Sequence, residues 1–421
     1  VTTDATADSQ EAAPATEALE WHAPVLVRID EHTTIPHLLK ERVQRGATRP
    51  LILRKIGIGD TWRSITAREF YDEVHALAAG LIARGLEPGD RVAIMSRTRY
   101  EWTLLDFACW AAGLVPVPIY ETSSIDQVAH VLVDADVHLI ITETVSMAEI
   151  VRAAAERENR DNTHVLSLDS EAIETLIAEG SATPRERVLA RSEALTTDDI
   201  ATIVYTSGTT GTPKGTVLSH ENFTNLCLNA HAWMPEIAAG KNSRLLLFLP
   251  LAHVFARFLQ VFQISGNGVL GHAPNIKNLL GDLASFKPSY LLVVPRVLEK
   301  IYNSADTKAR GTKQKIFRWA AKVAIAYSQA LDTDDGPTTS LKAQHALADK
   351  LVYQQIIRLV GGNADYIVSG GAPLAPWLAH FYRGVGIPVL EGYGLTETVG
   401  PVSVNTPRLS KIGTVGPALP P

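Results

Sequence analysis

Three glycines, four threonines, a serine and a lysine crowd into residues 205–215, YTSGTTGTPKG, directly after the apolar run 200–204. Glycines let backbone N–H groups converge on an anion, and hydroxyls can donate to phosphoryl oxygens. Lys214 adds a point cation. The order Gly208-Thr-Thr-Gly211-Thr-Pro-Lys214-Gly215 departs from the G-x-x-x-x-G-K-[ST] phosphate loop. A casual surface turn is a poor alternative, because ordering so many freely rotating residues costs entropy.

Three further stretches carry candidate groups. SGGAPL (369–374) has small residues that let a flat ring lie against the backbone; alternatively it is a tight strand-to-helix turn with Pro373 opening the helix. EGYGLTET (391–398) offers a stacking face on Tyr393, a hydroxyl on Thr396 and, on Glu397, a hard oxygen ligand suited to Mg²⁺. It lacks the third glycine of the G-x-G-x-x-G dinucleotide pattern. In LPLAHVFARF, His253 sits just past an apolar strand, where it can reach a crevice and meet an acyl carboxylate or its adenylate. A general-base role is the weaker reading, since a carboxylate nucleophile is already ionised near neutral pH. His22, His220, His231 and His272 have no such setting, and no histidine–cysteine set has zinc spacing.

The elements that must position these groups alternate along the chain. Phe70, Val74, Leu77, Ala78, Leu81 and Ile82 share one helical face, which Gly85 and Pro88-Gly89 terminate. Short apolar strands follow (RVAIM, LVPVPI, VHLIIT, THVLSL, DIATIVYT, RLLLFLP and ADYIVSGG among them), separated by helical patterns. Strands apolar on both faces between helices indicate mostly parallel sheets covered by helices. So many units favour two sheets, with a soft division near 191–199: a disordered leader over 1–30, a first α/β lobe over 31–190, a second over 191–405 that can interleave with the first, and a further subdomain beginning at 406–421. One region breaks the rhythm. Between Lys300 and Lys322 lie seven lysines and arginines and one acid, with Ile316, Trp319, Val323 and Tyr327 on one face. A solvated basic face beside a packed stripe is the first reading; docking to an anionic membrane or an acidic acyl carrier is the second.

Composition narrows the class. At 421 residues the chain exceeds what one core usually supports, and 46 % hydrophobic residues can fill more than one. The net charge of −6 makes nucleic acid a poor partner. Cys109 and Cys227 lie in apolar helical contexts, as buried thiols do in a reducing, cytoplasmic compartment. The N-terminus lacks a basic region followed by an apolar run, and no 18-residue apolar window exists.

Together with KIGTVGPALP (411–420), these stretches resemble the large N-terminal domain of adenylate-forming, acyl-activating enzymes, and within that superfamily a bacterial long-chain fatty-acid–CoA ligase, from about residue 33 onward. The resemblance implies an α/β fold of stacked, mostly parallel sheets with helical layers, ATP, Mg²⁺ and coenzyme A as cofactors, and a long-chain fatty acid as substrate. By motif, Thr206, Ser207, Gly208, Thr209, Thr210, Gly211 and Lys214 would cover the β- and γ-phosphates. Gly371, Ala372 and Pro373 would flank the adenine, with Glu391, Gly392, Tyr393 and Gly394 closing the other side. Thr396 would bind phosphate and Glu397 the Mg²⁺. His253 would lie near the acyl carboxylate, so catalytic roles fall on Thr206, Lys214 and His253. The acyl tunnel would pass Val294, Pro295 and Arg296. Such ligases continue into a ribose-binding aspartate, a hinge and a small C-terminal domain with a catalytic lysine, whereas this sequence stops at Pro421, so the small domain is expected to be absent and the isolated chain impaired. An acyl-AMP ligase serving a carrier protein or another carboxylic acid is the close rival. A non-catalytic acyl or nucleotide sensor is the distant one.

Overall fold

The computed structural model describes residues 23–57, 61–160, 162–206, 212–238 and 243–420. Fourteen strands run in chain order as β1 (Pro50–Lys55), β2 (Trp62–Thr66), β3 (Arg91–Met95), β4 (Val115–Ile119), β5 (Val137–Thr142), β6 (His164–Ser167), β7 (Ile200–Thr206), β8 (Lys214–Ser219), β9 (Arg244–Leu247), β10 (Val269–His272), β11 (Tyr290–Val293), β12 (Tyr366–Ser369), β13 (Val389–Leu395) and β14 (Gly400–Val404). The helices that bear on the site are α1 (Ala67–Ala83), α2 (Tyr100–Ala111), α3 (His220–Trp233), α4 (Val254–Ser265), α5 (Pro295–Lys308), α6 (Thr312–Ala330) and α7 (Pro376–Val385).

The strands form three sheets. The largest has the order β14-β13-β12-β11-β9-β10-β1-β2, parallel except for the antiparallel pairs β1–β2 and β13–β14 at its ends. A second, all-parallel sheet has the order β4-β3-β5-β6. Here β4 is an edge strand despite two prolines, and their spacing explains it. Residues two apart point their N–H positions to the same side, so Pro116 and Pro118 together leave the β3 ladder intact. The freed outer edge is then used: the Pro116 carbonyl accepts the Thr202 hydroxyl of β7 at 2.7 Å.

One strand pairs differently from the sequence reading, and the chain passes between the segments that reading divided. β1 and β2, from the stretch before 190, complete a sheet whose other strands all lie after 240, so the chain crosses between its lobes. The DIATIVYT strand joins neither parallel sheet; it pairs antiparallel with β8 in a two-stranded ribbon. Which strands pair leaves no local periodicity, so neither arrangement shows in residue spacing.

Local patterns fared better. Every residue of the α1 stripe is buried, and Thr66 with Glu69 forms a reciprocal capping box at its start. In α6 the deepest face is one position away from the expected stripe. Of the expected stripe Val323 is buried, while Ile316, Trp319 and Tyr327 are only partly covered; Phe317, Ala320, Ala321, Ala324 and Ser328 are buried beside it. The small residues face inward because α7 packs closely there. All seven basic residues from Lys300 to Lys322 are exposed, Arg318 in an ion pair with Asp306.

Both ends of the described residues are integrated too. Residues 23–30, expected as part of a leader, run extended, with Leu26 and Val27 donating backbone N–H groups to the Asn229 side chain. At the other end Leu419 N donates to the Val402 carbonyl and Ser403 bridges Ala418, so the stretch after 406 folds back on β14. Cys109 and Cys227 are buried free thiols.

Candidate active site

The C-terminal ends of β12 and β13 lie side by side, with Ser369 opposite Glu391. That register carries SGGAPL and EGYGLTET to one edge of the large sheet. At Gly371 the chain takes φ +80°, a conformation disfavoured for side-chain-bearing residues, and so turns sharply away from β12. Leu374 N then donates to Glu391 Oε1 at 2.9 Å, tying the two loops together. This bond also corrects the helix start. Residues 371–374 stay outside the helix, and Pro376, not Pro373, occupies its first turn.

Beyond β13 the chain makes one 3-10 turn over Thr396–Thr398. Leu395 N donates to Thr398 Oγ1 at 3.0 Å, and that hydroxyl reaches the Gly400 carbonyl at 2.8 Å. Val399 closes the turn at φ +62°, unusual for a β-branched residue and enforced by its burial in the core. The turn that presents Thr396 and Glu397 is therefore rigid. Gly394 allows the tight return of β14, since a Cβ there would stand 1.7 Å from the Gly400 oxygen.

His253 caps α4. Its Nδ1 accepts the Phe255 backbone N–H at 3.2 Å, which leaves the Nε2–H tautomer facing the site when the ring is neutral. The side chain stays solvent-accessible, but partial desolvation by the surrounding wall lowers its pKa and favours that neutral form. The ribbon delivers Thr206 and Lys214 as paired residues. Its flanks are anchored: Tyr205 donates to Asp134 at 2.6 Å, and His130 Nε2 bonds the Pro213 carbonyl at 2.7 Å.

One cavity of about 360 Å³ gathers most of these groups. Thr206, His253, Gly371, Gly392, Tyr393, Gly394, Thr396 and Glu397 line one end. Ala372 and Pro373 are exposed on the loop beside Gly371, and Glu391 works from behind through its bond to Leu374. Lys214 is exposed across the ribbon from Thr206 and is not on the cavity wall. Ser207, Gly208, Thr209, Thr210 and Gly211 lie outside the described residues. A second cavity of about 460 Å³, toward β4, shares Thr206, His253, Val254 and Thr396 with the first.

The other end of the first cavity is apolar and went unread in the sequence. Phe255, Phe258, Leu259 and Phe262 line it from α4, facing Tyr290, Val368 and Val404 from the sheet and Met234 and Ile237 from the segment after α3. Their spacing, i, i+3, i+4 and i+7, puts all four on one face of the helix. Val294, Pro295 and Arg296, the expected tunnel route, do not contribute to this wall, and Arg296 is exposed.

Behind the wall, Arg257 is fully buried with Asp106. The guanidinium donates to both carboxylate oxygens (2.5 and 3.2 Å) and to Thr202 Oγ1 (2.5 Å), and stands 5.4 Å from the Trp102 and Trp110 ring centroids. Gln260 adds a bond to Asp106 at 2.9 Å. Full burial pushes the Asp106 pKa up to about 6, against the opposing pull of Arg257 and Gln260. The cluster bolts α4, which carries His253, to α2 and to β7, which ends at Thr206.

A polar end rich in hydroxyls, a carboxylate and glycine turns, continuous with an apolar trough, suits a molecule with a phosphate-bearing head and a greasy tail. Among the described residues no group of three or more His, Cys, Asp or Glu could hold a metal, and no helix is long and apolar enough to cross a membrane. Glu397, exposed on its turn, is a single hard carboxylate at the polar end of the cavity. Comparison with known proteins agrees. The profile of the AMP-binding enzyme family matches residues 39–421. The long-chain-fatty-acid–CoA ligase FadD15 of Mycobacterium bovis is 41 % identical over 404 residues, covering 95 % of this chain and 67 % of that protein. Long chain acyl-CoA synthetase 3 of Arabidopsis thaliana is 30 % identical, with 90 % of this chain and 59 % of that protein covered. In fold, the N-terminal domain of FACL13 from Mycobacterium tuberculosis superposes with a TM-score of 0.67 at 21 % identity, over 92 % of this chain and 82 % of that one. This chain thus belongs to the AMP-binding enzyme family and has the fold of the N-terminal domain of adenylate-forming ligases, which activate a carboxylic acid as an acyl-AMP.

Proposed function

We propose that this chain is the nucleotide- and acyl-binding part of a fatty-acid–CoA ligase, acting on long-chain acids as the names of its relatives suggest. The observation that carries the proposal is the single cavity joining the Thr206, His253, Thr396 and Glu397 end to the Phe255–Phe258–Phe262 trough. In the first step a carboxylate oxygen attacks the α-phosphorus of ATP, the bond to the bridging oxygen breaks, and pyrophosphate leaves with the electron pair. In the second, the coenzyme A thiolate attacks the acyl carbonyl and AMP departs.

The residues have distinct tasks in this scheme. Thr206, Ser207, Gly208, Thr209, Thr210, Gly211 and Lys214 hold the outgoing phosphates, and Thr396 binds the phosphate that remains. Gly371, Ala372 and Pro373 face one side of the adenine; Glu391, Gly392, Tyr393 and Gly394 form the other. His253, neutral and carrying its proton on Nε2, donates to the acyl carboxylate oxygen that does not attack. Glu397 would hold Mg²⁺, which supplies charge neutralisation for the phosphates. The trough binds the tail and excludes water.

The test is exchange of labelled pyrophosphate into ATP, dependent on added fatty acid, by a protein containing this chain and the small domain of its relatives. Exchange with fatty acids but not with aryl or amino acids supports the proposal; exchange only with the latter refutes it. Thioester formation with coenzyme A, as opposed to acyl transfer to a carrier protein, identifies the acceptor.

A further inference from the structure

The trough has a definite end. Helix α4 lies antiparallel to the strands it covers: Phe255, near its start, approaches Gly370 at the C-terminal end of β12, whereas Gln263, near its finish, meets Tyr290 at the N-terminal end of β11. Tyr290 and Gln263 are each 1 % exposed. The Tyr290 hydroxyl donates to Gln263 Oε1 at 2.6 Å. Gln263 is held in turn, its amide donating to the Ser243 and Val269 carbonyls at 3.2 Å each. A buried tyrosine fixed through a fully engaged amide does not swing aside without leaving polar groups unpaired.

Resting on the fatty-acid reading above, we infer that Tyr290, locked by Gln263, is the end wall of the acyl trough and sets the tail length that binds straight. From Phe255 to Gln263 the helix advances about 12 Å. An extended alkyl chain advances ~1.25 Å per carbon, from bonds of about 1.5 Å at tetrahedral angles. A straight tail of about ten carbons therefore reaches the ring. Longer tails must fold back along Met234 and Ile237 or displace Tyr290. Tyr290 is thus a specificity residue that touches the far end of the substrate and takes no part in the chemistry.

Titration of the chain with non-hydrolysable acyl-adenylate analogues, from about four to about eighteen carbons, reads this directly. Affinity is expected to rise roughly fourfold per methylene and to level off near ten carbons in the wild type. Tyr290→Phe keeps the ring but loses its bond to Gln263, so the break should stay near ten carbons and become shallower as the unlocked ring yields to longer tails; Tyr290→Leu should move it to longer tails. A break at the same length in Tyr290→Leu, or no break in the wild type, overturns the inference while leaving the fatty-acid reading standing. A wild-type series with no gain per methylene removes that reading and the wall's role with it. Should Tyr290→Leu fail to fold, a ten-carbon analogue bearing a terminal diazirine tests the same point in the wild-type protein. Crosslinking to Tyr290 or Gln263 supports the assignment, and crosslinking at Val294, Pro295 or Arg296 contradicts it.

Discussion

Replacing Arg257 by methionine isolates the buried cluster that joins the site's two halves. The substitution removes three hydrogen bonds, two to Asp106 and one to Thr202, and leaves Asp106 as a buried carboxylate with only Gln260 as partner. Breaking one side of a buried ion pair typically costs about 3–5 kcal/mol. A chain of 421 residues unfolds with an entropy of about 0.9 kcal/mol/K, so the thermal midpoint should fall by roughly 3–6 °C. The decisive comparison is the double variant Arg257→Met/Asp106→Leu. It removes both charges and should recover most of that loss, because well-packed apolar replacements of buried pairs are often neutral or better. Scanning calorimetry of the wild type, the single and the double variant is the assay. A single variant within about 1 °C of wild type, or a double variant as unstable as the single, would refute the reasoning.

Acid should destabilise the fold through its buried histidines. Burial pushes His220, His231 and His272 each down to about 4, so the unfolded chain binds their protons between about pH 6.5 and 4 while the folded one does not. Asp106, raised to about 6, opposes them by keeping one extra proton in the folded state over much of that range. From these four groups the net is two protons, so unfolding free energy should rise with pH by about 2.7 kcal/mol per unit around pH 5; denaturant titrations showing a flat or falling trend would contradict this. In a protein that joins this chain to the small domain of adenylate-forming ligases, Lys214→Ala and Glu397→Ala should each lower adenylate formation by about 10²–10³-fold with an unchanged melting midpoint, measured by pyrophosphate release. Gly394→Ala should abolish nucleotide binding, because its Cβ would meet the Gly400 oxygen at 1.7 Å and force the Thr396–Glu397 turn to move; equilibrium dialysis with ATP checks it.

Much of the site was legible because its groups sit in contiguous stretches at strand ends, where residue type and spacing carry the information. The α1 stripe and the α/β alternation were equally local. What escaped depends on pairings and contacts that residue spacing does not encode. KGTVLS is a strand through its pairing with β7, close by in the chain, and its own composition does not announce that partner. Pro373 and Pro376 are equally good helix openers, and only the Leu374–Glu391 bond excludes the first. The apolar trough lay hidden for a different reason: Phe255, Phe258, Leu259 and Phe262 have the spacing of any core-facing helical stripe, and all but Phe255 are buried, so residue type does not separate a cavity wall from packed core. Tyr290 and Gln263, 27 positions apart, likewise give no sign in the sequence that one holds the other.

The central claim is that one cavity holds an adenylate and an acyl tail together. Calorimetric titration of this chain with a non-hydrolysable adenylate carrying a ten-carbon tail, beside the same nucleotide analogue without the tail, tests it most directly. The account predicts that the tail strengthens binding by several kcal/mol, a gain of at least about 10³ in affinity, with a negative heat-capacity change from the apolar surface it buries. Equal affinities for the two ligands would contradict it.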